Sequence, residues 1–218
     1  MRTLEQTCHS QFADMNMHTT AWILALLLLS PADSTAGLPP ATVGIRSAEA
    51  LTEAQAALKQ ARLLFYAGVE DKTKIEPAIA AFQELIRMRP EWEARAWTYI
   101  GALTALKGKH SLLPHDKWHK ANQGLKIMDQ AVAQNPQDVE ALFIHSSTCV
   151  FLPFFFKRGK DAQNKFRRLV QLLPENHHEF DPEMLKNVIR FISERAKLSQ
   201  EETATLNRLK SELNLESL

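Results

Sequence analysis

The sequence predicts an all-α fold, an α-solenoid of stacked antiparallel helix pairs with about eight helices. Three amphipathic runs end alike: Ala78…Phe82…Pro90, Gly124…Met128…Pro136 and Ala162…Phe166…Pro174, each reading small–x3–large apolar–x7–Pro. Their prolines stand 46 and 38 residues apart (136 − 90 and 174 − 136), a period suited to one helix–turn–helix unit per copy. The 218 residues hold only 7 glycines, valine and isoleucine are sparse, and the apolar–polar alternation of a half-buried strand is missing.

The elements follow in order. Residues 37–46 are rich in proline and glycine and read as a tether, leaving 47–218 as the helical domain. A first helix is expected over about 47–67 and its partner over about 74–88, the latter opened by a Thr73-x-x-Glu76 capping box with Pro77 in its first turn. A second pair is expected from Trp92 to Lys107 and over roughly 117–134, and a third over about 138–152 and 159–173. Asp181-Pro182 and Ser199-x-x-Glu202 open a closing pair over about 182–197 and 200–214, with Leu185, Val188, Ile189 and Ile192 on one face.

In the middle unit Trp97, Ile100-Gly101 and Gly108 precede the shared ending, and Ala131 lies between Met128 and Pro136. Here the chain resembles the tetratricopeptide repeat (TPR), a unit of about 34 residues with a W-x2-L-G…A-x3-F…P pattern. Small Gly101 and Gly124 would let paired helices approach closely while Trp97 and Met128 fill the space between them. The first unit departs from the pattern, offering only Ala61 and Leu64 where the Trp and Leu-Gly should stand. The middle unit carries about ten extra residues (KHSLLPHDKWHKA).

The resemblance implies that partners bind a concave groove lined by the first helix of each pair. Mapped through Trp97, that lining is Arg95, Thr98, Ala102 and Leu106, and in the next unit Glu140, Phe143, Ser147 and Phe151. The set lacks the Lys/Asn/Arg combination of TPRs that clamp a C-terminal carboxylate, so the expected partner is a protein or peptide segment of another kind.

Before the tether, Ala21 to Leu29 is a nine-residue apolar run followed by Ser34 and Ala36. Nine residues fall short of the roughly 20 that span a bilayer, whereas an apolar core followed by small residues suits a cleaved secretory signal over 1–36, with Met15 or Met17 as alternative starts. Cleavage after Ala36 removes Arg2 against Glu5, Asp14 and Asp33 and raises the formal net charge from +1 to +3. It also removes Cys8, leaving Cys149 alone amid Val150, Phe151 and Leu152, as a buried structural thiol. No histidine stands at a recognised nucleophile-motif spacing from it.

Function classes narrow accordingly. Without G-x-G-x-x-G or G-x4-G-K-[ST] a phosphate-cradling loop is not expected, and no paired carboxylates or nucleophile motif point to catalysis. No cofactor or resident metal is implied. His115 and His119 would share a helix face near His110, the one arrangement that suggests a metal-dependent alternative. Phe154-Phe155-Phe156 precedes a basic run, Lys157, Arg158, Lys160, Lys165, Arg167 and Arg168 against Asp161, which suits an anionic membrane surface as a second partner. A nearly neutral, exported chain is not expected to bind nucleic acid. The expected role is that of a non-catalytic adaptor or scaffold in the bacterial cell envelope or periplasm.

Overall fold

The structure, a computed structural model, describes residues 44–215. Eight α-helices and four short 3-10 turns account for them, and no strand occurs among the described residues. The expected signal segment over 1–36, with Cys8, and most of the expected tether lie outside the described residues. The chain divides into two compact units, the first ending at Pro90 and the second beginning at Glu91.

In the first unit, α1 (Gly44–Glu70) packs against α2 (Ile75–Met88). The helix starts at Gly44, inside the expected tether. Ala54, Leu58 and Ala61 form a stripe at helical spacing on α1, and Ile75, Ala78, Phe82 and Leu85 form one on α2; all seven are buried, as an amphipathic pair requires. The expected Thr73–Glu76 capping box does not form. Asp71 instead accepts from the Thr73 backbone N–H at 2.9 Å and from its hydroxyl at 2.7 Å, a tighter Asx turn that spends Thr73 one 3-10 turn (Lys72–Lys74) ahead of α2.

The second unit comprises α3 (Glu93–Lys109), α4 (Pro114–Gln134), α5 (Val139–Phe151), α6 (Gly159–Asn176), α7 (Pro182–Arg195) and α8 (Gln200–Glu212). Its tightest packing joins α3 to α4, and the next joins α5 to α6. The α3–α4 pair runs antiparallel, since Gly101 faces Gly124 and Met128 while Gly108 faces Lys117. Two glycines meet at this crossing: a Cβ at Gly101 would stand 2.6 Å from Met128 Cγ and 2.8 Å from the Gly124 carbonyl oxygen, and one at Gly124 would stand 2.5 Å from the Ala105 nitrogen. The helices touch backbone to backbone, which only residues without a Cβ permit. Met128 and Ala131 are buried as expected. Trp97 is half-buried, less enclosed than Met128, and donates from Nε1 to Glu93 of its own helix at 3.2 Å.

Three further expectations are corrected. The second helix of the middle pair, expected from roughly 117, begins at Pro114, at the first helical position where its missing N–H costs nothing, so most of the extra residues are helical and only His110–Leu113 is not. Pro136 lies just past α4, and Pro90 follows α2, but Pro174 sits inside α6, which continues to Asn176; proline alone does not end that helix. The closing helices do not form a tight pair, because α8 packs more closely on α6 than on α7. The Ser199–Glu202 capping box is present in full, and Asp181 caps α7 through the Met184 N–H at 2.9 Å. α7 enters the core through Phe191, whose ring meets Phe143, Phe151 and Phe166 with centroids 5.7, 5.8 and 6.0 Å away.

Candidate functional site

The eight residues mapped to a groove are mostly interior. Arg95, Thr98, Ala102, Glu140 and Phe143 are buried, Leu106 and Ser147 are half-buried, and only Phe151 is exposed. The physical reason lies in α3 and α5, whose buried residues surround most of the helix rather than lining one face; such helices present few of their side chains to a partner.

What replaces the groove there is an ionic network. Arg95 Nε lies 3.1 Å from Asp138 Oδ2 and 3.3 Å from Glu140 Oε2, and its terminal nitrogen pairs with Glu179. Tyr99 donates to Glu140 at 2.5 Å, and Asp138 also caps α5 by accepting from the Ala141 N–H at 2.8 Å. Burial opposes the charge of Arg95, but Glu140, Asp138 and Glu179 overcome it and hold the guanidinium more firmly protonated than usual. The network ties α3 to the start of α5 and to the His177–Glu179 turn.

A second polar cluster lies between α4, α5 and α6. His145 and Cys149 are one turn apart on α5, and Cys149 Sγ stands 3.5 Å from His145 Nδ1. His145 Nε2 stands 2.7 Å from Asp129 Oδ1, so the carboxylate accepts from Nε2–H and Nδ1 is left to accept from the thiol. Arg158, at the start of α6, binds Asp129 through both terminal nitrogens, one at 3.0 Å, and reaches Asp161 at 2.7 Å; Lys165 pairs with Asp161 from one turn on.

Cysteine, histidine and aspartate in that order form the linkage of an activated nucleophile, but the environment sets it otherwise. Burial pushes the Cys149 thiol up to about 11 and is the main cause lowering His145. Burial would raise Asp129, yet hydrogen bonds from Arg158 and His145 outweigh it and hold the carboxyl below its usual range. The group at neutral pH is therefore thiol, neutral imidazole and carboxylate, with Cys149 only 3% exposed. A reactive cysteine needs a lowered pKa and access; this one has neither.

Ligand atoms of His145, Cys149 and Asp161 lie within 4.8 Å of one another, a spacing that could hold a metal ion. The Arg158 guanidinium already bridges Asp129 and Asp161 and comes within 3.3 Å of His145 Nε2, so a fixed cation supplies the positive charge. The expected histidine set is elsewhere: His115 and His119 do share a face, rings 6.4 Å apart and nearly parallel, but His115 is highly exposed, with Asp116 3.6 Å away. They do not join His110 in a close grouping of three ligand atoms.

The aromatic-basic segment divides by role. Phe156 is buried, Phe155 half-buried and Phe154 exposed; Trp118 of α4 stacks on Phe156 and Phe155 with centroids 4.7 and 5.8 Å away. Lys157 adopts the left-handed conformation at φ 55°, reversing the chain into α6. Of the basic run, Arg158 and Lys165 are engaged in the cluster above and Arg167 lies 3.9 Å from Glu202, whereas Lys157, Lys160 and Arg168 face solvent.

No protein-family model, no curated protein and no solved structure matches the chain. The polar cluster escaped sequence reading because its parts come from three helices; its one local signal was His145 four residues, about one turn, before Cys149.

Proposed function

We propose that this chain is a non-catalytic, TPR-like interaction protein of the bacterial cell envelope that holds a protein or peptide segment against its helix pairs. The observation that supports this reading best is the Gly101–Gly124 crossing, a backbone-to-backbone helix pair at the positions where the TPR pattern calls for small residues. The two buried polar clusters support it in a second way, since both are spent on joining helices. The partner surface, on this reading, begins at the accessible members of the mapped set, Leu106, Ser147 and Phe151, with Phe151 seated on Phe191. Extended or helical segments that lay an apolar face on such a surface are the expected partners. Export rests on the apolar run Ala21–Leu29 and the small residues Ser34 and Ala36.

Immobilised protein exposed to envelope extract, with bound proteins identified by mass spectrometry, tests the reading. A discrete set of partners should be captured by the wild type and lost from Phe151→Ser with Leu106→Ser, while circular dichroism stays unchanged. Equal capture by both proteins would remove the binding surface from this face. N-terminal sequencing of protein isolated from the envelope should begin at or near Gly37, and an intact Met1 on a cytosolic product would overturn the export part.

A further inference from the structure

Four of the large apolar side chains left exposed in the second unit come from the α3–α4 connection, the start of α4 and the turn before α6: Leu112 is 92% exposed, Leu113 63%, Trp118 47% and Phe154 70%. Trp118 links its helix to the phenylalanine turn, since its ring stacks on Phe155 and Phe156 and Phe155 meets Phe154 with centroids 5.9 Å apart. The sequence presents these as two unrelated features, a histidine-containing insertion and an aromatic run, and the fold brings Trp118 of the first onto Phe155 and Phe156 of the second. The same two segments carry Lys109, Lys117, Lys120, Lys157 and Lys160 against the single carboxylate Asp116, and of these lysines Lys157 and Lys160 are exposed. Asp161 is already committed to Arg158 and Lys165.

The shape and chemistry select the occupant. Leu112, Leu113 and Phe154 lie on turns between helices and are strongly exposed, which suits a broad apolar phase better than the enclosed anchor pocket a peptide side chain needs. A bilayer surface requires no complementary cleft: apolar tips enter the acyl boundary, tryptophan prefers the headgroup level, and lysines meet anionic headgroups. No helix among the described residues is long and apolar enough to cross a membrane, so contact through these residues would be interfacial.

We propose that the α3–α4 connection and the Phe154–Phe156 turn form one tip that docks on an anionic bilayer. Leu112, Leu113 and Phe154 insert, Trp118 sits at headgroup level, and Lys157 and Lys160 face the lipid phosphates and carboxylates. This contact uses different residues from the protein-binding face proposed above, and does not depend on it.

Flotation of the full chain with phosphatidylcholine vesicles, with and without phosphatidylserine, tests the proposal. Binding should require phosphatidylserine and weaken with added salt. Loss of each lysine should weaken it about fivefold, so Lys157→Glu with Lys160→Glu should cost at least roughly 25-fold. Leu112→Ser, Leu113→Ser and Phe154→Ser together should abolish binding. Brominated acyl chains should quench tryptophan emission in the wild type and lose most of that effect in Trp118→Phe, a readout that stands even if the triple variant folds poorly. Undiminished vesicle binding by the lysine pair, with quenching unchanged in Trp118→Phe, would overturn the proposal and place lipid contact elsewhere, such as Ala21–Leu29. A lipid-free dimer that dissociates in the serine variants would overturn it in favour of a second copy of the chain.

Discussion

Replacing Gly124 by alanine adds one methyl group at the tightest point of the α3–α4 crossing. That methyl would meet the Gly101 carbonyl oxygen, stand 2.5 Å from the Ala105 nitrogen and 2.7 Å from the Ala105 Cβ. None of these is the end of a flexible side chain, so relief requires the helices to separate by at least about 0.9 Å to reach ordinary contact near 3.4 Å. A radial gap of about 0.5–1 Å forfeits a quarter to a half of each dispersion contact beside it. The overpacking cost lies at the upper part of the usual range of about 1–3 kcal/mol. Alanine recovers about 1 kcal/mol of helix propensity over glycine, leaving a net loss of about 1–2 kcal/mol. Gly101→Ala should lose less, because its shortest contact, 2.6 Å, is to the side-chain Cγ of Met128 and its backbone contacts are 2.8 and 2.9 Å, while Gly101→Leu should lose at least as much. Gly159→Ala, with nothing within 4 Å of the added atom, should be neutral or slightly stabilising. Urea unfolding followed by circular dichroism measures all four. A Gly124→Ala protein as stable as the wild type, alongside an unchanged Gly159→Ala, would refute the backbone-to-backbone crossing.

Arg95→Ala should destabilise by about 3–5 kcal/mol, because Asp138, Glu140 and Glu179 lose the cation they share in a buried setting; thermal unfolding that matches the wild type would remove Arg95 from the core. Cys149, with its thiol pushed up to about 11 and enclosed, should react with iodoacetamide at pH 8 far more slowly in the native chain than in urea, and equal rates would contradict its burial. His145 is lowered in the folded chain by burial, so the unfolded chain binds the extra proton first. Stability should be full above about pH 6.5 and fall as pH drops below that toward the folded value. His145→Gln, which can still donate to Asp129, should flatten the pH dependence in that window, as read by urea midpoints, and an unaltered slope would show that another group titrates there.

The parts of this fold legible in the sequence were those encoded by spacing along one helix. Ala78, Phe82, Met128, Ala162 and Phe166 are all at 0% exposure, because a small residue four before a large one marks a single buried helix stripe. Gly101 and Gly124 were legible for the same reason: glycine in a helix interior is costly unless something approaches closely. Caps were read well where one side chain could reach one backbone group, as at Ser199 and Asp181, and misread at Thr73, where Asp71 competed for the same hydroxyl. The groove was misread because a helix's position within a unit is not local information. Arg95 and Glu140 look like surface charges until α3 and α5 bring them together, and the same holds for Asp129, His145 and Arg158. Trp118 and the Phe154–Phe156 turn could not be joined from sequence either, since their stacking brings together residues nearly forty positions apart.

Arg158 has a consequence for kinetics. It ends the turn that carries Phe154 and also bridges α4 to α6 through Asp129 and Asp161, so the turn cannot swing away without breaking those ion pairs. Its opening is thereby joined to the separation of two core helices instead of being the independent fraying common in loops. Backbone amides of residues 156–157, which donate to Pro153 and Phe154 at 3.0 and 2.9 Å, should exchange with solvent deuterium at rates nearer those of α6 than those of an open connection. The aromatic tip then has the lifetime of the folded unit, and anything that recognises it recognises a completed fold.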